Sequence, residues 1–133
     1  MRSPLSIAGS LLLLLSLAAC GTSSGTTDDA VSNNRIVVED LSASVSGLSA
    51  YEVVSQYRPH WLQTRGPTSI NNPVDVKVYV DGSGSPYGTV ESLHDLRASN
   101  LASIQHFDSS EAQFRFGLGN VAGALLVTTK DGR

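Results

Sequence analysis

The clearest hydrophobic pattern is an alternation of valines with polar residues over residues 74–81. The valines are Val74, Val76, Val78 and Val80, and the residues between and after them are Asp75, Lys77, Tyr79 and Asp81. A period of two places each set of side chains on one face of a β-strand. We therefore predict a strand with a valine core face and a polar face, then a turn over 81–88 and a short return strand over 89–91.

An amphipathic helix is predicted upstream of this strand. Ser49 and Glu52 have the three-residue spacing of a capping box. Five apolar residues then recur at helical spacing, namely Ala50, Val53, Val54, Tyr57 and Trp61. Pro59 disfavours helical geometry at Arg58, so the helix either ends there or restarts with Pro59 in its first turn.

Three further strands and a second helix complete the pattern. Residues 35–39 form a β-branched run, residues 103–107 read as a strand, and residues 123–130 are almost continuously apolar, as in a strand covered on both faces. The cap cluster 108–111 predicts a short helix through Phe116 that Gly117 ends in a left-handed cap. The order of elements favours an α+β fold, a small mixed β-sheet with two to three short helices packed on it.

The N-terminus reads as an export signal. Arg2 precedes an apolar segment of about 15 residues, which is shorter than the roughly 20 residues of a membrane span. The segment closes with Leu17-Ala18-Ala19-Cys20, which resembles the lipobox of bacterial lipoproteins. That resemblance implies cleavage before Cys20 and acylation of its thiol.

The predicted organisation has three parts. Residues 1–19 are a lipoprotein signal peptide, residues 20–34 are the lipidated Cys20 with a flexible tether, and residues 35–133 are the folded domain. The tether is rich in Ser, Thr and Gly, and a flexible chain of this length has a reach of about 20 Å. The resemblance implies an envelope location, with a lipid anchor in the outer membrane and the domain facing the periplasm.

Length and charge exclude several classes of protein. The chain has 133 residues and a formal net charge of −3, which argues against a nucleic-acid partner. It is too short to form a 22-strand transport barrel, which needs roughly 220 residues at about 10 per strand. No motif predicts a cofactor.

The folded segment resembles the plug domain of TonB-dependent outer-membrane receptors. The resemblance rests on four pieces in order: Val78-Tyr79-Val80-Asp81-Gly82, a strand containing Ile104, Ser110-Glu111-Ala112 followed by Phe116-Gly117, and the strand from Gly123 to Thr128-Thr129-Lys130. It covers about residues 36–130. It implies a small mixed sheet in which the plug-motif residues have structural roles; these are Asp81, Gly82, Gly117, Gly123, Thr129 and Lys130.

The chain also departs from that family. It ends three residues after Lys130, where such a receptor continues into its barrel, and residues 20–35 contain no segment resembling the energy-coupling box. We therefore expect a free-standing plug-like module on a lipid anchor, without gating by an inner-membrane motor.

Two groups of residues are candidates for partner contacts. Trp61 lies among the arginines Arg58 and Arg65, and an indole with arginines is typical of interface anchors. The alternative for Trp61, which we favour, is a core position on the helix face. The second group is Lys77 and Tyr79 on the polar strand face with Tyr87 in the following loop; the alternative is a solvated or helix-covered sheet face.

Signals for catalysis or metal binding are weak. His60, His94 and His106 have no ligand-like spacing, so we expect no metal. His94-Asp95 with one of the many serines could form a hydrolytic triad, but no Gly-X-Ser-X-Gly elbow precedes a helix. The glycines of residues 117–123 follow a helix and precede a strand, the reverse of a dinucleotide-binding loop. We expect a protein that is not an enzyme.

Three functions remain open, and we favour the first. It is a non-enzymatic interaction module that binds another envelope protein, such as an outer-membrane barrel or receptor. The second is a ligand-binding module accessory to nutrient uptake, with residues 63–72 and 82–88 as its mouth. The third is a small hydrolase that uses His94 and Asp95.

Overall fold

A computed structural model of the chain describes residues 33–64 and 74–132. Five strands in these ranges form one sheet in the spatial order β1-β4-β5-β2-β3. Their bounds are β1 Arg35–Val37, β2 Lys77–Val80, β3 Gly88–Thr89, β4 Leu101–Phe107 and β5 Ala124–Thr129. The four predicted strand regions and the return strand are therefore all present, although β2 begins at Lys77 and the return strand is shorter than predicted.

The sheet is mixed. Strand β5 pairs antiparallel with β4 and parallel with β2, in a register that places Val78 opposite Leu125 and Val80 opposite Val127. Strands β1 and β3 pair antiparallel with β4 and β2 respectively, at the two edges. The last strand along the chain therefore occupies the centre of the sheet and joins its two halves.

Three α-helices lie within the described residues: α1 Ser42–Val45, α2 Ala50–Tyr57 and α3 Ser109–Phe116. Three 3₁₀ helices accompany them, at Pro59–Leu62, Val90–Asp95 and Ala98–Asn100. The prediction of a small mixed α+β fold is confirmed. Helix α1 has four residues and no side-chain capping bond, so the sequence carries little signal for it.

Helix α2 begins at the predicted capping box. The Ser49 hydroxyl accepts a hydrogen bond from the Glu52 backbone N–H at 3.3 Å, and the Ser49 N–H donates to the Glu52 carboxylate at 2.7 Å. These bonds satisfy two groups that a helix N-terminus otherwise leaves without partners. The helix ends at Arg58, and the chain restarts as a 3₁₀ helix with Pro59 in its first turn.

Helix α3 begins at a second capping box. Asp108 accepts from the Glu111 backbone N–H at 2.9 Å, and the Asp108 N–H donates to the Glu111 carboxylate at 3.4 Å. The helix ends at Gly117, whose φ of 92° is available at little cost only to glycine. The predicted start and end of this helix are confirmed.

The sheet is covered on both faces. The larger core lies against α1, α2 and the 3₁₀ helices and includes Val78, Ile104, Leu125 and Val127. A smaller core lies beneath α3 on the opposite face and contains Tyr79, Phe107, Ala112, Ala124 and Leu126, with Phe116 packed against it. Residues 124–127 are all buried, as predicted for a strand covered on both faces.

The two ends of the sheet differ in what they carry. At one end, called the entry end here, β1 begins, β4 runs into α3, and β5 begins. At the other, called the turn end, β2 runs into the 81–87 loop and β5 finishes at Thr129. The entry end therefore carries the start of the folded chain and α3, while the turn end carries the exposed loop.

Candidate functional site

At the turn end, the Asp81 carboxylate links the ends of the two parallel strands. Its Oδ1 accepts from the Thr129 backbone N–H at 2.7 Å, and its Oδ2 accepts from the Thr129 hydroxyl at 2.8 Å. Asp81 itself has a φ of 52°, a conformation that Asp tolerates better than most residues. Two residues that carried the plug-domain resemblance are thus in direct contact, 48 residues apart in sequence.

The remaining plug-motif residues also have structural positions. Lys130 donates from Nζ to the Ser99 carbonyl oxygen at 2.6 Å. Gly82, Gly117 and Gly123 all have positive φ. At Gly123, a Cβ would lie 2.7 Å from the Phe107 carbonyl oxygen, so the start of β5 approaches the end of β4 too closely for any side chain.

Trp61 is buried, with 1% of its surface exposed. Its ring stacks on that of His106 at a centroid distance of 5.3 Å, within the larger core. The prediction of Trp61 as a surface anchor is therefore wrong, and the favoured alternative, a core position, is what the structure has. The indole is buried because α2 and the 3₁₀ helix after it hold it against the sheet.

Tyr79 is also buried, at 2% exposure, which corrects its prediction as an exposed contact residue. Phe116 of α3 stacks on its ring at 3.9 Å, and its hydroxyl donates to the Asn120 Oδ1 at 3.0 Å. Asn120 in turn donates to the Gly117 carbonyl oxygen at 2.9 Å. The face that alternation marked as polar is thus covered by α3, the helix-covered alternative, and the phenol has a buried partner.

The other candidate contact residues do not form one surface with these. Arg58 is half-buried and donates to the Tyr57 carbonyl oxygen at 2.9 Å, while Arg65 lies outside the described residues. Lys77 is half-buried on the α3 face. Tyr87 is 52% exposed in the loop at the turn end. Of the five candidates that the structure describes, Tyr87 is the one that keeps the exposed position a partner contact needs.

The contacts of His94 in the described residues do not support the hydrolase alternative. The His94 ring stacks on Tyr51 at 4.0 Å, and its Nε2 lies 4.0 Å from a carboxylate oxygen of Glu91. Within residues 33–64 and 74–132, no hydrogen bond joins His94 to Asp95 or to a serine. Glu52, which shares a polar cavity of about 370 Å³ with His94, is held in its capping box.

Hydrogen bonds from the backbone and hydroxyl of Ser49 hold the pKa of Glu52 below its ordinary value of 4.5, with a smaller contribution from the charge of His94. A carboxylate stabilised in its charged form is a poor general base. Glu52 is therefore poorly suited to act as a general base in this cavity.

The histidines do not converge on a metal site. His60 and His106 line a small cavity of about 130 Å³ together with Asp108. Among the described parts of the chain, no three His, Cys, Asp or Glu residues are placed to hold a metal ion. The predicted mouth of a ligand site is only partly described: Gln63, from its first half, lines the same small cavity as His60 and His106, residues 65–72 lie outside the described residues, and residues 82–88 line none of the three cavities.

Sequence reasoning missed an exposed apolar surface at the entry end. Phe114 is 95% exposed on α3, Leu118 is 91% exposed just after it, and Val121 is 49% exposed before β5. We call these three residues the apolar rim. A shallow depression of about 270 Å³ beside it is lined by Phe107, Phe114 and Arg115, with Glu111. The available signal was Phe114 itself, which lies two residues from buried Ala112 and so faces away from the core.

Phe114 and Leu118 are four residues apart, and both are more than nine-tenths exposed. Large apolar side chains left exposed in this way often mark interaction sites. Within residues 33–64 and 74–132, no helix combines the length and apolar character required to cross a bilayer.

Comparison with known proteins gives no match to this chain among family models, curated proteins or solved structures.

Proposed function

We propose that this protein is a lipid-anchored module of the bacterial cell envelope, with a plug-like domain that binds another envelope protein and carries out no catalysis. The lipobox at Cys20 supports the anchor. The arrangement of the sheet supports the plug-like domain. The exposed loop at the turn end supports a docking role.

One observation carries the proposal. The plug-domain resemblance requires the strand that ends in Asp81-Gly82 and the strand that ends in Thr129-Lys130 to share one sheet. In the structure, β2 and β5 pair in parallel, and Asp81 binds both the backbone and the hydroxyl of Thr129. Parallel neighbours joined through an intervening segment are less common than hairpin pairs, so this direct pairing supports the plug-like reading more strongly than a shared sheet alone would.

The turn end is the surface that suits a protein partner. Residues 81–87 are all exposed, and Tyr87 presents an amphipathic ring of the kind that is enriched in protein interfaces. A loop carried on a sheet whose strands are tied together by Asp81 is held in place, which lowers the ordering cost of binding.

The anchor is tested by replacing the modified residue in bacteria that process lipoproteins. The wild type should incorporate labelled palmitate and migrate as a processed band. Cys20→Ser should remain an unlabelled precursor, whereas Ser23→Ala, three residues later, should behave as the wild type does. A wild-type chain that takes up no label would contradict the lipid anchor.

The docking role is tested by site-specific photocrosslinking in living cells. A photoreactive residue at Tyr87 should give repeated adducts with one envelope protein, and the same residue at Gln56, exposed on α2, should not. Equal adducts from both positions, or none from Tyr87, would contradict docking through the turn end.

A further inference from the structure

We propose that the apolar rim contacts the lipid bilayer in which the protein is anchored, so that the domain lies against the membrane with its turn end facing away. This inference rests on the proposed lipid anchor and adds the orientation of the domain and a second membrane contact.

The first step is the place where the chain enters the fold. The Asn34 carbonyl oxygen accepts from the His106 N–H at 2.7 Å, and Arg35 lies opposite Gln105 in the sheet. His106 is two residues from Asp108, the cap of α3. The chain that arrives from Cys20 therefore enters the domain beside the start of α3.

The second step is distance. Phe114 is six residues beyond Asp108, which corresponds to about 9 Å along a helix axis. Leu118 and Val121 lie in the segment that leads to Ala124, which is paired with Phe107 at this same end. The predicted tether of residues 21–34 has an expected reach of about 20 Å. An anchor at Cys20 thus holds the rim within reach of the bilayer surface.

The third step is chemistry. Phe and Leu are side chains that bury well in the boundary between headgroups and acyl chains. Charges of both signs surround the rim: Asp108 and Glu111 are capping residues of α3, the Arg115 guanidinium lies over the Phe107 ring at 5.1 Å, and Lys77 reaches towards Gly119. Because these charges offset one another, the contact is apolar, and we expect it to depend little on salt or on anionic lipid.

A second copy of the chain or a protein partner would also cover apolar side chains. The position of the rim at the entry end favours the bilayer, since the chain from the proposed anchor enters the domain at this end. A contact that is nearly intramolecular also needs little intrinsic affinity.

The test uses the full acylated chain in vesicles of phosphatidylethanolamine and phosphatidylglycerol. Cys20 is the only cysteine, and acylation occupies its thiol, so Leu118→Cys provides one site for an environment-sensitive dye. Nitroxide-labelled lipids should quench the dye at residue 118 several-fold more strongly than at residue 85, introduced by Ser85→Cys in the exposed loop of the turn end. Phe114→Ser should weaken the quenching at residue 118.

Equal, weak quenching at both sites in palmitate-labelled protein would overturn the inference and leave the anchor intact. Absence of palmitate label would instead show that the proposed anchor has failed. A concentration-dependent dimer that Phe114→Ser abolishes would assign the rim to a second copy, and quenching only after addition of a purified protein partner would assign it to that partner; either result overturns the lipid assignment.

A second measurement does not depend on acylation. Residues 20–133 carrying Cys20→Ser, without the predicted signal peptide, should bind the same vesicles weakly, and binding should fall by about tenfold or more for each of Phe114→Ser and Leu118→Ser. Binding that is unchanged in both variants would also overturn the inference.

Discussion

A single added methyl group at Gly123 meets two independent penalties. The φ of Gly123 is +94°, and a Cβ there would lie 2.7 Å from the Phe107 carbonyl oxygen. A positive φ strains an L-residue by about 1–2 kcal/mol. Overlap with a backbone atom of the neighbouring strand forces β4 and β5 apart, and such overpacking typically costs about 1–3 kcal/mol. We therefore expect Gly123→Ala to lower the free energy of unfolding by about 2–5 kcal/mol.

Two other glycines separate these penalties. Gly47 has a φ of +98° with nothing within 4 Å of an added Cβ, so Gly47→Ala should show the strain alone, about 1–2 kcal/mol. Gly84 has neither a positive φ nor a neighbour within 4 Å. Gly84→Ala should change stability by about 0.5 kcal/mol or less, or stabilise slightly by restricting the unfolded chain.

Urea unfolding followed by fluorescence gives all three values. Trp61 is the only tryptophan and is 1% exposed, so its emission should shift when the core opens. For a domain of about 100 residues, each kcal/mol also shifts the melting temperature by about 4–8 °C. If Gly123→Ala loses no more stability than Gly47→Ala, the close approach of β5 to the end of β4 is refuted.

Three further predictions concern single contacts. Asp81→Ala and Thr129→Val should each destabilise the domain, and in a double-mutant cycle their effects should be less than additive, with a coupling of about 0.5–3 kcal/mol. Tyr79→Phe should cost about 1–3 kcal/mol in urea unfolding, because it leaves its buried amide partner without a donor, whereas Tyr87→Phe should be close to neutral. Thermal melts should show Glu52→Gln less stable than the wild type above about pH 4.5, with the difference shrinking as the pH falls through the lowered pKa of this carboxyl.

The sign of the pH effect follows from the direction of the shift. The folded-state pKa of Glu52 lies below its ordinary value, so the folded protein favours the charged form and gains stability wherever that form prevails. A difference that grows towards acid pH would contradict this reasoning. Strict additivity at Asp81 and Thr129, or equal effects of the two tyrosine substitutions, would contradict the other two predictions.

Local chemistry in the sequence was sufficient to predict where helices α2 and α3 begin and where α2 ends. The capping boxes at Ser49 and Asp108 each need only residues three positions apart, and Pro59 acts on its own neighbour. These signals operate within one turn of helix, so they can be recognised without knowledge of the fold.

The burial of the candidate contact residues was harder to predict, because it depends on elements far away in sequence. Alternation placed Tyr79 opposite the valines, which is correct, but its cover is Phe116, on a helix that crosses to that face after β4. The same crossing exposes Phe114. Hydrophobicity alone predicts burial for both phenylalanines. Only the position of α3 shows that Phe116 is covered while Phe114 is exposed.

The central position of β5 has a consequence for how the domain can form. Until residues 124–129 have been made, the chain holds two separate strand pairs, β1 with β4 and β2 with β3, and nothing in the sheet joins them. Pairs of two strands are marginal on their own in water. A growing chain therefore gains its core in one late step.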